Sequence, residues 1–123
     1  MPTKRQKKVI VTKHKERGNK FFAQKKYRKA LKEYNEAIKL CPRDHTLYSN
    51  RSACYTELKQ YTAALIDGHK CTQINPDWVK GYYRTGLALF KLGWVQEARK
   101  VYVAGMLILS LKYLPFDSAV ANP

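Results

Sequence analysis

The sequence predicts an all-α protein made of three tandem helix–turn–helix repeats, and three observations predict it. Tyr27 and Tyr61, Ala30 and Ala64, and Pro42 and Pro76 recur at a spacing of 34 residues, the length of a two-helix unit that buries its apolar face only against its neighbours. Residues of similar size extend the same ladder: Gly18, Ser52 and Gly86; Phe21, Tyr55 and Leu89; Ala30, Ala64 and Ala98; Ala37, Cys71 and Gly105. Helix-breaking punctuation falls between the apolar periods, which marks units over roughly residues 11–44, 45–78 and 79–112.

Each unit divides into an A and a B helix. The expected helices are 8–24, 27–40, 45–58, 61–74, 79–92 and 95–113, with 1–8 as a basic flexible tail, 9–114 as the repeat domain and 115–123 as an irregular tail. The first B helix displays its core face directly, because Tyr27, Ala30, Leu31, Tyr34, Ala37 and Ile38 recur at three- and four-residue steps. Ala64, Leu65, Cys71 and Ile74 form a sparser version of that face in the second. Pro42-Arg43-Asp44 and Pro76-Asp77 each set a proline after a B helix and an aspartate placed to cap the next A helix. Lys91-Leu92-Gly93 ends the last A helix with a residue suited to the left-handed turn. After the last B helix, Pro115 interrupts the chain, and residues 117–123 are short for a solvating cap helix. A truncated or missing cap is therefore expected, with self-association through the uncovered helix as one way to bury it.

A chain of 123 residues holds one such array and no second domain. Its formal charge of +15 and pI near 9.9 favour acidic partners: an acidic peptide, nucleic acid or an anionic surface. Cys41, Cys54 and Cys71 are odd in number, and two of them occupy small apolar repeat positions, which fits a reducing compartment better than a disulfide framework. No metal-ligand spacing or cofactor motif occurs, so no cofactor is expected. Residues 1–8 lack the apolar core of a secretory signal, and Val101–Leu111 is shorter than a membrane span. The expected location is cytoplasmic, with a nuclear one also compatible with the basic start.

Stacked A helices line one surface, so polar residues on their inner faces converge. Lys15 and Asn19 share a face of the first A helix, Lys80 and Arg84 share a face of the third, and Asn50 lies on the second between them. A lysine–asparagine pair and a lysine–arginine pair flanking a second amide suit a chain-terminal aspartate, whose main-chain and side-chain carboxylates need two groups of donors.

Gly18-Asn19-Lys20, Leu47 to Ala53 and Asp77 to Arg84 resemble the signature segments of the tetratricopeptide-repeat (TPR) co-chaperone domains that carry a dicarboxylate clamp, such as those of the stress-induced organising protein family. The resemblance covers about residues 11–112. It implies a right-handed superhelical array with a concave peptide groove, in which Lys15, Asn19, Asn50, Lys80 and Arg84 grip the C-terminal Glu-Glu-Val-Asp of the 70 and 90 kDa heat-shock chaperones. Phe22, Ala53, Leu87 and Phe90 are candidates for the pocket that takes the peptide's valine. Glu57 departs from the family pattern, since a carboxylate in the groove repels the acidic residues before the terminal aspartate.

Two other classes compete. A nucleic-acid or anionic-surface binder would use residues 1–8 with Lys25, Lys26, Arg28, Lys29 and Lys32, although these alternate with a core face and read more simply as a solvated face. An enzyme has little support, because His14, His45 and His69 fall on three different helical elements with no nucleophile elbow, phosphate loop or paired acids.

Overall fold

The computed structural model describes residues 1–114. Six helices follow in order: α1 (Lys4–Ala23), α2 (Tyr27–Leu40), α3 (His45–Glu57), α4 (Tyr61–Ile74), α5 (Val79–Lys91) and α6 (Val95–Lys112). Five agree with the expected spans to within a residue at each end. The first begins earlier, so the segment set apart as a flexible tail is corrected: Lys4 to Lys8 are the opening turns of α1. Thr3 and Gln6 form a capping box there, with Thr3 Oγ1 accepting from Gln6 N at 3.1 Å and Gln6 Oε1 accepting from Thr3 N at 2.8 Å. Two first-turn amides that a charged tail would leave to water are thereby satisfied. Residues 115–123, including Pro115 and the missing-cap segment, lie outside the described residues.

The helices pack as three hairpins, α1 with α2, α3 with α4 and α5 with α6, and each B helix before the last also packs on the next A helix. α3 touches both α1 and α5, so the A helices form one continuous layer. Small residues let the helices approach. A Cβ on Gly18 would lie 2.5 Å from Tyr34 Cε1, and one on Gly86 would lie 2.5 Å from Tyr102 Cε1. The middle repeat solves the same contact the other way round: Ser52 replaces the glycine and Gly68 replaces the tyrosine, and Ser52 Oγ donates to Ala64 O at 2.8 Å. Ala30, Ala37, Ala64, Cys54 and Cys71 are fully buried along these seams. Burial pushes the Cys54 thiol up to about 12 and the Cys71 thiol up to about 11, so both remain protonated at neutral pH.

The A helices end in one repeated device. Lys25, Lys59 and Gly93, each 34 residues apart, take φ of 60°, 61° and 86°. At each the chain closes a Schellman turn, as where Gln60 N donates to Tyr55 O at 2.8 Å and Lys59 N donates to Thr56 O at 3.0 Å. The expectation for Gly93 holds, and the first two repeats make the same turn with lysine. A left-handed non-glycine residue costs about 1–2 kcal/mol, partly offset by glycine's greater freedom when unfolded. Lys25→Gly and Lys59→Gly are each expected to raise stability by roughly 0.5–1 kcal/mol, measured as a shift in the urea midpoint.

Capping of the A helices is corrected at one point. Asp44 caps α3, accepting from Thr46 N at 3.0 Å. Asp77 does not cap α5, whose N-cap is Trp78 with no side-chain cap bond. On the 34-residue ruler Asp44 corresponds to Trp78, and Asp77 lies one residue too early. Trp78 instead packs edge-on against His45, with centroids 4.7 Å apart.

Among the described residues no helix is long and apolar enough to cross a membrane. α6 carries exposed apolar residues along its outer side, Val103, Met106, Leu107 and Leu111 among them.

Candidate functional site: a cationic groove on the A-helix layer

The groove residues are placed by helical register. Lys15, Asn19 and Phe22 form one stripe of α1; Asn50, Ala53 and Glu57 form one of α3; Lys80, Leu87 and Phe90 run along α5 with Arg84 beside them. Because α3 touches both outer A helices, its stripe is the floor between two walls.

Three polar contacts bridge the layer. Lys15 Nζ donates to Thr46 Oγ1 at 2.7 Å, and Thr46 Oγ1 donates to Asp44 Oδ1 at 2.6 Å. Asn50 Nδ2 donates to Asn19 Oδ1 at 3.3 Å. Arg84 Nε donates to Ser49 Oγ at 3.4 Å, with its guanidinium carbon 5.3 Å from the Tyr83 ring centre. Burial pushes the Arg84 pKa downward, while Tyr83, Cys71, Cys54 and Glu57 push it back; an arginine remains charged under any such shift. Lys80 is exposed, one turn before Arg84 on α5.

The structure thus brings Asn19 and Asn50 into contact, with Lys15 attached to α3 on one side and Arg84 attached to it on the other. Neighbouring residues Ser49 and Asn50 point about 100° apart on a helix, so one engages α5 and the other α1. Their amides and cations leave several N–H groups free for an anion: two further hydrogens on Lys15, the Asn19 amide hydrogens and the outer guanidinium nitrogens.

Sequence reasoning missed the supports of these residues. Tyr34, read as core alone, is 1 % exposed and donates from its hydroxyl to Asn19 Oδ1 at 2.5 Å. With two donors on its oxygen, Asn19 is held with its nitrogen turned outward. Thr46 and Ser49 were legible only by register, since they correspond to Lys80 and Lys15 on the 34-residue ruler. Tyr34→Phe is expected to cost about 1 kcal/mol and to release the Asn19 amide, which NMR of its side-chain NH2 signals would detect.

The apolar pocket candidates are not equivalent. Phe22 packs against the core of Ala30, Tyr34 and Cys54 and meets Tyr27 edge-on at 5.2 Å. Ala53 is buried, Leu87 is half-buried, Phe90 is 52 % exposed and Glu57 is exposed. Phe90 therefore has the free ring surface, whereas Phe22 has given most of its own to α2.

The corrected start of α1 also matters to the groove. Lys4, Arg5 and Lys8 join Val11, Lys15 and Asp44 around a cleft of about 660 Å³ at the open end of the layer. Lys25, Lys26, Arg28, Lys29 and Lys32 are all exposed, with Lys29 Nζ 5.8 Å from the Phe21 ring centre.

Stacked helix hairpins with a cationic inner layer define an all-α repeat domain, and comparison with known proteins gives its family. A family model described as "TPR repeat" matches residues 18–55. The chain is 48 % identical over 92 residues to the heat shock protein sti1 homolog of Schizosaccharomyces pombe, a match covering 75 % of this chain and 16 % of that protein. Its fold is similar to the first TPR of Spaghetti (RPAP3) bound to the HSP90 peptide SRMEEVD, at 30 % identity and TM-score 0.79, covering 93 % of this chain and 86 % of that one. It is also similar to the TPR2B domain of yeast Sti1 in complex with an Hsp70 peptide, at 25 % identity and TM-score 0.82, covering 92 % and 90 %. The chain belongs to the tetratricopeptide-repeat family, and within it is homologous to the TPR domains of the Sti1 and Hsp70-Hsp90 organizing proteins. It spans about a sixth of the length of those curated relatives, 16 % and 17 % in two of them.

Proposed function

We propose that this chain is a non-catalytic, cytoplasmic adaptor domain that captures the free C-terminus of heat-shock chaperones of the 70 and 90 kDa classes, holding a Glu-Glu-Val-Asp tail by a dicarboxylate clamp. Lys15, Asn19 and Asn50 take the terminal carboxylate, and Lys80 and Arg84 close over the second carboxylate from α5. The three repeats over residues 11–112 act as the binding unit.

One observation carries this reading: the Asn19–Asn50 contact at 3.3 Å, with Lys15 and Arg84 each bonded to α3 on opposite sides. Donors from three helices are thereby converged before a ligand arrives, which lowers the ordering cost of binding. Similarity to TPR domains solved with HSP90 and Hsp70 peptides supports the choice of ligand. Ordering a flexible tail offsets much of the contact energy, so the affinity is modest and exchange is fast.

The test is calorimetry with an octapeptide ending in Glu-Glu-Val-Asp as the free acid and as the C-terminal amide. The amide removes one anionic group and is expected to lose most of the affinity. Equal binding by both forms overturns the clamp. A salt dependence steep enough for many phosphate contacts, seen with a nucleic-acid oligomer in place of the peptide, would favour the basic-surface reading instead.

A further inference from the structure

We infer that Glu57 makes the deep end of the groove a subsite for a cationic side chain, so that the peptide best suited to this chain carries a basic residue about three positions before its terminal carboxylate. This rests on the clamp reading, because the clamp fixes where the peptide's end lies.

The direction of the bound chain follows from the helix bounds. Asn50 is the sixth residue of α3 and Lys80 the second of α5, so a peptide running toward the helix N-termini soon leaves the A layer. Running the other way, it stays between α1, α3 and α5 as far as Ala23, Glu57 and Lys91. Only that path is lined by all three helices.

Spacing then sets the position. Asn50 and Glu57 are seven residues apart on one helix, two turns and about 10.5 Å along the axis. An extended peptide advances about 3.3 Å per residue. Three residues therefore separate a carboxylate held at Asn50 from the side chain level with Glu57.

The chemistry of that level is distinct from the rest of the groove. Glu57 is the one carboxylate on the α3 stripe, it is exposed, and among the described residues it forms no salt bridge. On the 34-residue ruler it lies one residue beyond the level of Phe22 on α1 and Phe90 on α5, and Phe90 is 52 % exposed. Its charge is felt on both sides, raising the pKa of Tyr27 after burial does and helping to offset the burial of Arg84. A free carboxylate accepts an ammonium or guanidinium by ion pairing. It repels a carboxylate at the same place. The acidic residue that a Glu-Glu-Val-Asp tail brings to this level is thus tolerated through its other contacts, not selected.

The experiment uses the 123-residue chain and acetylated octapeptides ending X-Glu-Val-Asp, with X as Lys, Ala or Glu, measured by calorimetry at low and at physiological salt. The wild-type chain is expected to bind in the order Lys, Ala, Glu, with each step roughly two- to fivefold and smaller at higher salt. Glu57→Lys is expected to reverse the order and Glu57→Gln to flatten it. Glu57 is exposed, and circular dichroism checks that both variants keep the helical fold. The same order in wild type and Glu57→Lys overturns the inference while leaving the clamp standing, provided the matching C-terminal amides still lose affinity. Amides that bind as well as acids overturn the clamp, and with it the register on which Glu57 is placed.

Discussion

Asp67→Ala is expected to remove about 3–5 kcal/mol of stability, enough to leave a substantial fraction of a small repeat array unfolded at room temperature. Asp67 is 2 % exposed on α4 and holds Arg51 of α3 in a bidentate pair, with Nε to Oδ2 and Nη2 to Oδ1 both at 2.7 Å. The third guanidinium nitrogen donates to Asn35 Oδ1 on α2 at 3.0 Å, so one arginine joins three helices across two repeats. Tyr48 and Tyr55 cover it, their ring centres 5.6 and 5.8 Å from its Cζ. Burial pushes the Asp67 carboxyl up and the Arg51 guanidinium holds it back. The pair is costly to assemble, and costlier to break from one side, because the remaining charge is stranded under two aromatic rings. Urea unfolding followed by circular dichroism measures the loss. Asp67→Asn, which keeps hydrogen-bond acceptance but not charge, is expected to fall between wild type and alanine. A loss below about 1 kcal/mol, the range of an exposed pair, would show that water reaches the pair in solution.

Lys80→Ala and Arg84→Ala are each expected to weaken binding of a Glu-Glu-Val-Asp peptide by at least roughly tenfold, and Arg84→Ala by more. The difference comes from burial. Lys80 is exposed and contributes a solvated point charge, whereas Arg84 is half-buried, stacked beside Tyr83 and bonded to Ser49. Low local dielectric strengthens the second interaction and lets its planar fork meet a carboxylate on two nitrogens. Calorimetry gives the affinities, and thermal unfolding separates binding from folding: Lys80→Ala should leave the unfolding midpoint unchanged, and Arg84→Ala should lower it slightly. Retained affinity in both variants would remove α5 from the site.

Much of the fold could be read in the chain because a repeat writes each constraint more than once. The 34-residue spacing of tyrosine, alanine and proline located five helices to within a residue at each end, since helix ends are set by local chemistry that the ruler repeats. It failed where the chemistry was not repeated. Thr3 and Gln6 cap α1 with no counterpart in the other units, and the charge around them masked the signal. Asp77 looked like a second Asp44 but lies one position early, and on a helix terminus one residue decides whether a carboxylate meets the free amides.

The groove shows the same division. Helical periodicity alone placed Lys15, Asn19, Asn50, Lys80 and Arg84 on facing stripes, and it put Glu57 and Phe90 at their far end. Residues seven apart on a helix share a face whatever surrounds them. Which of those residues touch, and what holds them, was decided by the tertiary structure. Tyr34 reaches Asn19 across a hairpin, Ser49 reaches Arg84 across two repeats, and Arg51 finds Asp67 sixteen residues away. Such partners depend on the angle and separation at which helices pack. Those are set by the volumes of Gly18, Gly68 and Gly86 and their neighbours together, and no periodicity in the chain records them.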